Sequence, residues 1–311
     1  MPRRLKTIET ELSSDDAEAV AKAIDELATL PRAEAMELLF RKSNDASFPA
    51  AKLAADAFVK AVAVHSKVAL RHPDIALRKV AITEVGRAKV VDAIPELAQI
   101  LRSKISMTMQ CLSAEALGSI GHTSCVPVLV EARQSSTPEL RAAALHGLQN
   151  IMQVAGEKAV IGFLEDDDWL LRLDAKEHLE STGWIPQTHR EKVLWGIALG
   201  RFDEAVGYGQ VSVDALLDAT LHVNDAEVRR WSAVALSRLS SDHARKRLAK
   251  ALRSNNADER AAAAQALSIL GDGINIEGIS EGGESEVPSS SHTRESIFAA
   301  AARMLTLIGQ P

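Results

Sequence analysis

The chain has 311 residues, of which 46% are hydrophobic and 25% are charged, and its formal net charge is −6. These values are typical of globular proteins and exclude a chain that is disordered throughout. Aromatic side chains are few (6 Phe, 4 Trp and 1 Tyr) and alanine dominates the apolar set, which favours helices over strands. No stretch has the roughly 20 apolar residues of a membrane helix, the first residues contain no apolar signal segment, and two cysteines make no disulfide framework. We therefore expect a cytoplasmic, largely helical protein without membrane insertion.

The segment 1–71 predicts irregular helical pairs that act as an N-terminal cap. Ser14-Asp15-Asp16 is typical of a helix start, and the pattern after it indicates a helix to Leu30. Pro31 is expected to open a second helix, which runs to Lys42, and Pro49 a third, which runs to about His65.

A regular repeat follows this segment. An apolar residue and Arg are followed by small residues at +3 and +6 and by Leu or Val at +7, as in Leu140-Arg141 with Ala144, Gly147 and Leu148. The anchor positions are Arg78, Gln110, Arg141, Arg172, Arg229 and Arg260, and their successive spacings in the numbering are 32, 31, 31, 57 and 31. The common spacing accommodates two helices and two turns, and one pair cannot bury its apolar face alone, so neighbouring pairs must stack.

The unit at Asp225–Leu236, read as Asp-x-x-Val-Arg-x-x-Ser-x-x-Ala-Leu, resembles the short HEAT repeat of the bacterial subtype called lyase-type HEAT-like. This resemblance implies an all-α fold, a right-handed α-solenoid of stacked antiparallel helix pairs. It also implies a structural role for the repeat arginines Arg78, Arg141, Arg172, Arg229 and Arg260. The pattern departs from the family at Gln110, where Arg is missing, and at Glu259, where the apolar residue is missing.

The predicted organisation follows from these anchors. We expect regular repeats over 72–182 and 214–270, and an enlarged repeat with an extra helix over 183–213, because the interval from Arg172 to Arg229 is much longer than one period. Residues 271–293 contain five acids and no Lys or Arg, which predicts an acidic flexible loop, and residues 294–311 resume a helical period of 3.6.

Two groups of residues are candidates for partner binding. Between Arg229 and Arg260 there are nine cations and three acids, and five of the cations lie on one second helix, which in such solenoids lines the concave face: Arg245, Lys246, Arg247, Lys250 and Arg253. A surface of this kind attracts acidic partners. The second group is aromatic, because most of the aromatic side chains lie between Phe163 and Trp231. Trp169, Trp184, Trp195 and Tyr208 are candidates for a binding ridge, and the alternative, which the sequence favours, is that a larger repeat needs bulkier side chains to fill its core.

Catalytic and metal chemistry find little support in the sequence. The HEAT-type deoxyhypusine hydroxylases hold iron with repeated His-Glu motifs, and no such pair occurs here in that order. The histidines show no metal-ligand spacing, and Cys111 and Cys125 are expected to be small buried thiols. We therefore expect no catalytic residues, no metal and no cofactor.

The sequence predicts a non-catalytic HEAT-repeat scaffold or adaptor of a bacterium or archaeon, with a protein partner that carries acidic groups. The alternative is a bilin-lyase-like or chaperone-like protein that acts on a cofactor-bearing partner, with Asp167, Trp169 and Trp184 lining a pocket. A third reading, a nucleic-acid-binding HEAT-like protein, is disfavoured because the net charge is −6 and the basic residues concentrate in one repeat.

Overall fold

The computed structural model describes residues 3–103, 106–151 and 154–271. The chain divides into two compact units, one up to Phe163 and one from Leu164. Every regular element in the described ranges is a helix, which confirms the all-α fold. None of these helices is both long and apolar enough to cross a membrane. The predicted acidic loop and C-terminal helix lie outside the described residues, apart from Gly271.

Unit 1 contains eleven helices within the described residues, and short 3-10 turns at Val91–Ala93 and Thr123–Cys125 lead into α7 and α9. Their bounds are α1 Arg3–Glu11, α2 Ala17–Ala28, α3 Ala33–Ser43, α4 Ala51–Val64, α5 Ser66–Leu70, α6 Ile75–Arg87, α7 Ile94–Arg102, α8 Met107–Ile120, α9 Val126–Ala132, α10 Pro138–Gln149 and α11 Val154–Ile161.

The helices of unit 1 form two layers. The first helices of successive pairs, α2, α4, α6, α8 and α10, pack side by side in one layer, and α3, α5, α7, α9 and α11 pack in the other. Consecutive helices also pack across the layers. Each pair thus buries its apolar face against the next pair, which is the stacking that the repeat period predicts.

Unit 2 contains seven helices within the described residues, and a 3-10 turn at Gly209–Ser212 precedes α15. Their bounds are α12 Trp169–Ser181, α13 His189–Ala198, α14 Phe202–Gly207, α15 Val213–Leu221, α16 Ala226–Leu239, α17 Asp242–Ala251 and α18 Ala257–Ile269. Here α14, α16 and α18 pack in one row, and α13, α15 and α17 in the other. Four helices, α12 to α15, therefore begin between the turns that precede Arg172 and Arg229. The long interval between these two anchors contains two short helix pairs in chain order.

Polar side chains at the repeat turns fix where the first helices begin. The carboxylate of Asp74 accepts hydrogen bonds from the backbone N–H groups of Ala76 and Leu77, and Asp225 and Asn256 cap α16 and α18 in the same way. A cap of this kind supplies acceptors for N–H groups that have no partner within the helix. The caps recur with the repeat and so keep successive helices in register.

Candidate protein-interaction surface

The repeat arginines close the turns that precede the first helices. Arg141, Arg229 and Arg260 each donate from Nη1 to the carbonyl oxygen six residues earlier, at distances of 3.0, 2.7 and 2.8 Å. A charged donor satisfies a carbonyl that would otherwise be partly desolvated in the turn. Each guanidinium group is thus already bonded within its own repeat, so we do not include these three arginines in the candidate surface.

Arg172 is the buried member of this series, with only 1% of its side chain exposed. Its Nε donates to the carbonyl of Asp166 at 2.5 Å, and its Nη2 lies 3.2 Å from Oδ2 of Asp218 on α15. Burial lowers the pKa of Arg172, and burial also raises the pKa of Asp218, against the opposing effect of the Arg172 charge. Arg172 thus links α12 to α15 by an ion pair in which the arginine is buried and the Asp218 side chain is 43% exposed.

The remaining two anchor positions depart from this pattern. Gln110 donates from Nε2 to the carbonyl of Leu101 at 2.8 Å, and therefore replaces the missing arginine with another side-chain contact to the preceding segment. Arg78 makes no equivalent bond within the part of the chain that the structure describes, and its buried Nε has no hydrogen-bond partner there.

The structure places the five predicted cations on and directly after α17. Arg245 is half-buried and its Nη1 lies 3.9 Å from Oδ1 of Asp242. The side chains of Lys246, Arg247, Lys250 and Arg253 are exposed, and none of the four forms an ion pair with a carboxylate in the described ranges. We call these four residues the α17 cation row.

A second repeated arginine position, which the sequence reasoning missed, explains why the α17 cation row is unusual. Arg71, Arg102 and Arg133 follow one another at the spacing of the repeat, each at the end of a second helix, and Arg253 occupies the same position after α17. The recurring Leu-Arg at 70–71, 101–102 and 252–253 is the signal that reveals it.

In unit 1 each arginine of this second position has a partner in the next pair. Arg71 lies 3.2 Å from the buried carboxylate of Glu96, and Arg102 lies 2.7 Å from Glu131. Arg133 lies over the ring of Phe163, with Cζ 5.8 Å from the ring centroid. Arg253 differs from these three because no second helix follows α17 among the described residues.

The four predicted aromatic residues lie in different environments. Trp169 is only 7% exposed and shares one buried cluster with Leu216 and Val228, so the prediction that it lies on a partner-binding ridge does not fit the structure. The backbone N–H of Trp169 donates to Oδ1 of Asn224 at 2.9 Å, which ties the start of α12 to the turn before α16. Asn224 in turn donates its own backbone N–H to the carbonyl of Asp167 at 2.8 Å.

Trp184, Trp195 and Tyr208 are half-buried. The rings of Trp184 and Trp195 pack at 5.3 Å between centroids, and Tyr208 packs at 5.6 Å against the ring of His189. Each of these aromatic rings therefore packs against another ring within unit 2. Their partly exposed edges offer a binding protein less area than unpaired rings would. The aromatic residues remain a prediction for partner binding, and the α17 cation row is the better candidate.

The remaining features of the described residues to consider are metal-ligand groups, a cavity and two free cysteines. No group of three or more His, Cys, Asp or Glu side chains there is arranged to hold a metal ion. A cavity of about 210 Å³ lies beside Leu101, Val128 and Leu140, with the Arg102–Glu131 pair among its lining residues. Burial raises the pKa of Cys125 to about 11 and also raises that of Cys111, so both thiols are poor nucleophiles.

Sequence comparison supports the repeat assignment. A family model described as HEAT repeats matches residues 62–149 and 186–272, which together are more than half of the chain. The chain belongs to the HEAT-repeat family. This confirms the resemblance in the Asp225–Leu236 unit, and HEAT repeats generally mediate protein interactions. The matched segments also include α17 and the turn that follows it.

Three solved structures illustrate what this HEAT-repeat chain is similar to. An engineered protein shares 21% identity over 89% of this chain and 81% of its own, with a TM-score of 0.30. The complex of CpcE and CpcF of phycocyanin lyase from Nostoc sp. PCC7120 shares 20% over 68% and 77%, also at 0.30. Human deoxyhypusine hydroxylase in complex with glycerol shares 16% over 86% and 99%, at 0.21. Likenesses at these scores give no ground for assigning an activity, and a comparison with curated proteins gives no match.

Proposed function

We propose that this protein is a non-catalytic interaction scaffold that binds an acidic segment of a partner protein at the α17 cation row. The observation that carries the proposal is the row itself: four exposed cations that have no carboxylate partner in the described residues. Stacked repeats present the side chains of successive helices on one extended surface, which suits such a protein to binding a partner.

The charges of the α17 cation row are close together. Lys246, Arg247 and Lys250 lie within about one turn of the helix, and Arg253 follows about one turn further on, so the row spans roughly 10 Å at about 1.5 Å per residue. Like charges at such spacing repel one another and create a local positive potential. Two or three carboxylates of a partner would relieve that repulsion. In unit 1 single carboxylates, Glu96 and Glu131, pair with Arg71 and Arg102.

The charge distribution favours an acidic protein segment over a nucleic acid. A protein that binds nucleic acid typically neutralises many phosphates along a basic stripe. The α17 cation row is short, acids at Asp242 and Asp258 flank it, and the whole chain carries a net charge of −6. A few carboxylates match this surface better than a phosphate backbone does.

The test is the binding of a fluorescent octaglutamate peptide to the full chain at low salt, measured by anisotropy. The variant Lys246→Glu/Arg247→Glu/Lys250→Glu is expected to bind at least about tenfold more weakly, because it replaces attraction with repulsion at the site. The matched control, Lys52→Glu/Lys60→Glu/Lys67→Glu, changes three exposed lysines of unit 1 and has the same net charge. We expect its affinity to stay within about twofold of wild type.

Two results would overturn the proposal. Equal weakening in the α17 variant and the control would show that net charge, and not the α17 cation row, controls binding. A single-stranded oligonucleotide that binds more tightly than octaglutamate, and is lost in the α17 variant, would replace the acidic protein segment by a nucleic acid.

A further inference from the structure

The last described residue, Gly271, lies just after the helix that packs against α17. Helices α17 and α18 pack together and are joined by residues 252–256, so they form an antiparallel hairpin. The end of α18 at Ile269 therefore lies beside the beginning of α17 at Asp242. Gly271 follows with a φ of +79°, a left-handed conformation that commonly ends helices. Lys246 therefore lies about one turn of α17 from the end of the helix that is nearest to Gly271, and Arg253 lies beyond the opposite end.

The sequence that follows has the opposite charge to the row. Residues 272–286 contain five acids and neither Lys nor Arg. The acids are Asp272, Glu277, Glu281, Glu284 and Glu286. Fifteen residues can span up to roughly 50 Å, whereas α17 with its ten residues is about 15 Å long. Chain length therefore allows this acidic segment to reach any part of the row.

We infer that residues 272–286 bind the α17 cation row within the same chain and compete there with the acidic partner. This inference rests on the proposed function, because it describes the regulation of that same surface. A tethered segment of this length is present at an effective concentration on the order of millimolar. Ion pairs between exposed groups are individually weak, so the contact is reversible, and a partner with more carboxylates or added apolar contacts displaces it.

The comparison with unit 1 supports an occupant of this chemistry. Each arginine at the second repeated position of unit 1 meets a carboxylate or an aromatic ring, whereas Arg253 at that position has no partner among the described residues. Three acids lie near Arg253 in sequence: Asp242 lies 3.9 Å from Arg245, Glu259 accepts a hydrogen bond from Ser254, and Asp258 forms no ion pair with the row in the described residues. The next carboxylates along the chain, after Asp258 and Glu259 of α18, are those of the acidic segment.

The first experiment repeats the octaglutamate measurement with the acidic segment neutralised in the full chain. The variant is Asp272→Asn/Glu277→Gln/Glu281→Gln/Glu284→Gln/Glu286→Gln. We expect it to bind the peptide about three- to tenfold more tightly than wild type at low salt, because the competitor has lost its charge. The gain should vanish at about 0.5 M salt, where exposed charges are screened.

Net charge is controlled by neutralising five exposed acids of unit 1 in the same way. The control variant is Asp15→Asn/Asp25→Asn/Glu34→Gln/Glu37→Gln/Asp56→Asn. It makes the chain more positive by the same amount and leaves the acidic segment intact, so it should gain less than about twofold. An equal gain in both variants would overturn the inference.

The second experiment locates the contact directly by carbodiimide cross-linking. The reagent activates a carboxylate, and the Nζ of a nearby lysine displaces it to form an amide, with net loss of one water. Digestion and mass spectrometry should find Lys246 or Lys250 joined to the acidic segment. Mixing isotopically light and heavy chains should give only unmixed cross-links. Mixed links would show that the segment binds a second copy, and their dominance would overturn the intramolecular contact.

The two proposals fail in different ways. If reversal of the α17 charges weakens octaglutamate binding while neutralisation of the segment has no effect, the inference is wrong and the proposed function stands. If the α17 reversal has no effect either in wild type or in the neutralised chain, the proposed function is wrong. If cross-links still form in that case, the acidic segment contacts α17 but does not compete with an acidic partner, and the inference is wrong as well.

Discussion

The helices of the two units are held together by different side chains. In unit 1 the first helices approach so closely that glycine is needed between them: a Cβ atom on Gly118 would lie 2.4 Å from Cα of Gly147, and one on Gly86 would lie 2.7 Å from Cα of Ala116. The glycines of unit 2 at 183, 200, 207 and 209 have no heavy atom within 4 Å of such a position. Unit 2 instead buries Trp169 and the charged group of Arg172.

The same repeat therefore has two packing solutions with different sensitivities. A stack that depends on close backbone approach tolerates no added volume, because the neighbouring backbone cannot turn away as a side chain can. A stack that buries a whole arginine side chain tolerates its loss poorly, because a cavity and a carbonyl without a donor remain. All four tryptophans lie in unit 2, so tryptophan fluorescence reports on the unfolding of that unit.

The largest effect is expected for Arg172→Ala. The change leaves a cavity in place of a fully buried side chain and leaves the Asp166 carbonyl without its donor, so we expect the free energy of unfolding of unit 2 to fall by about 2–5 kcal/mol. Urea denaturation followed by tryptophan fluorescence measures it. Arg229→Ala removes a half-buried guanidinium from the same repeat position and should cost only about 1 kcal/mol. Equal losses would mean that burial of Arg172 has no special weight.

Gly118→Ala is the corresponding change for unit 1. The added Cβ meets backbone atoms of α10, so we expect unit 1 to lose about 1–3 kcal/mol in spite of the better helix propensity of alanine. Hydrogen exchange of the peptides that cover α8 and α10 should show faster opening, while the fluorescence transition of unit 2 stays where it is. Gly207→Ala in α14 has open space around it and should instead stabilise unit 2 by about 0.5–1 kcal/mol. A neutral Gly118→Ala would contradict the close-packing account.

The regular part of this contrast could be predicted from the sequence, because it depends on residues close together in the chain. Asp225, Val228 and Arg229 lie within five positions, and together they predict the turn, the buried stripe and the start of α16. The structure confirms this helix and the corresponding ones at Asp74 and Asn256.

The features that could not be predicted depend on contacts between residues that are far apart in the chain. The backbone of Trp169 bonds to Asn224, which lies 55 residues later in the chain. No periodicity in the sequence predicts that contact, so the burial of Trp169 could not be predicted either. The partners of Arg71 and Arg102 lie 25 and 29 residues ahead, so they follow no fixed spacing either. The cations of α17 were visible in the sequence, but which of them already have a carboxylate partner was not, since that depends on side-chain packing.

The smallest effect concerns the exposed pair of Arg102 and Glu131, which joins α7 to α9 in unit 1. The Arg102 side chain hydrogen-bonds the carboxylate and lowers the pKa of Glu131. A lowered pKa in the folded state means that this pair contributes to stability above the ordinary pKa of glutamate, and that the contribution is lost as the pH falls through the lowered value.

Arg102→Gln should therefore raise the pKa of Glu131 toward its ordinary value and remove this part of the acid dependence of unit 1, as an NMR titration of the Glu131 carboxyl carbon would show. Arg133→Gln, which removes the charge over Phe163 one repeat position later, should leave the Glu131 titration where it is. An unchanged midpoint in Arg102→Gln would mean that the exposed pair is not maintained in solution. In that case close approach at Gly86, Gly118 and Gly147, and not pairing between successive second helices, would be what distinguishes unit 1 from unit 2.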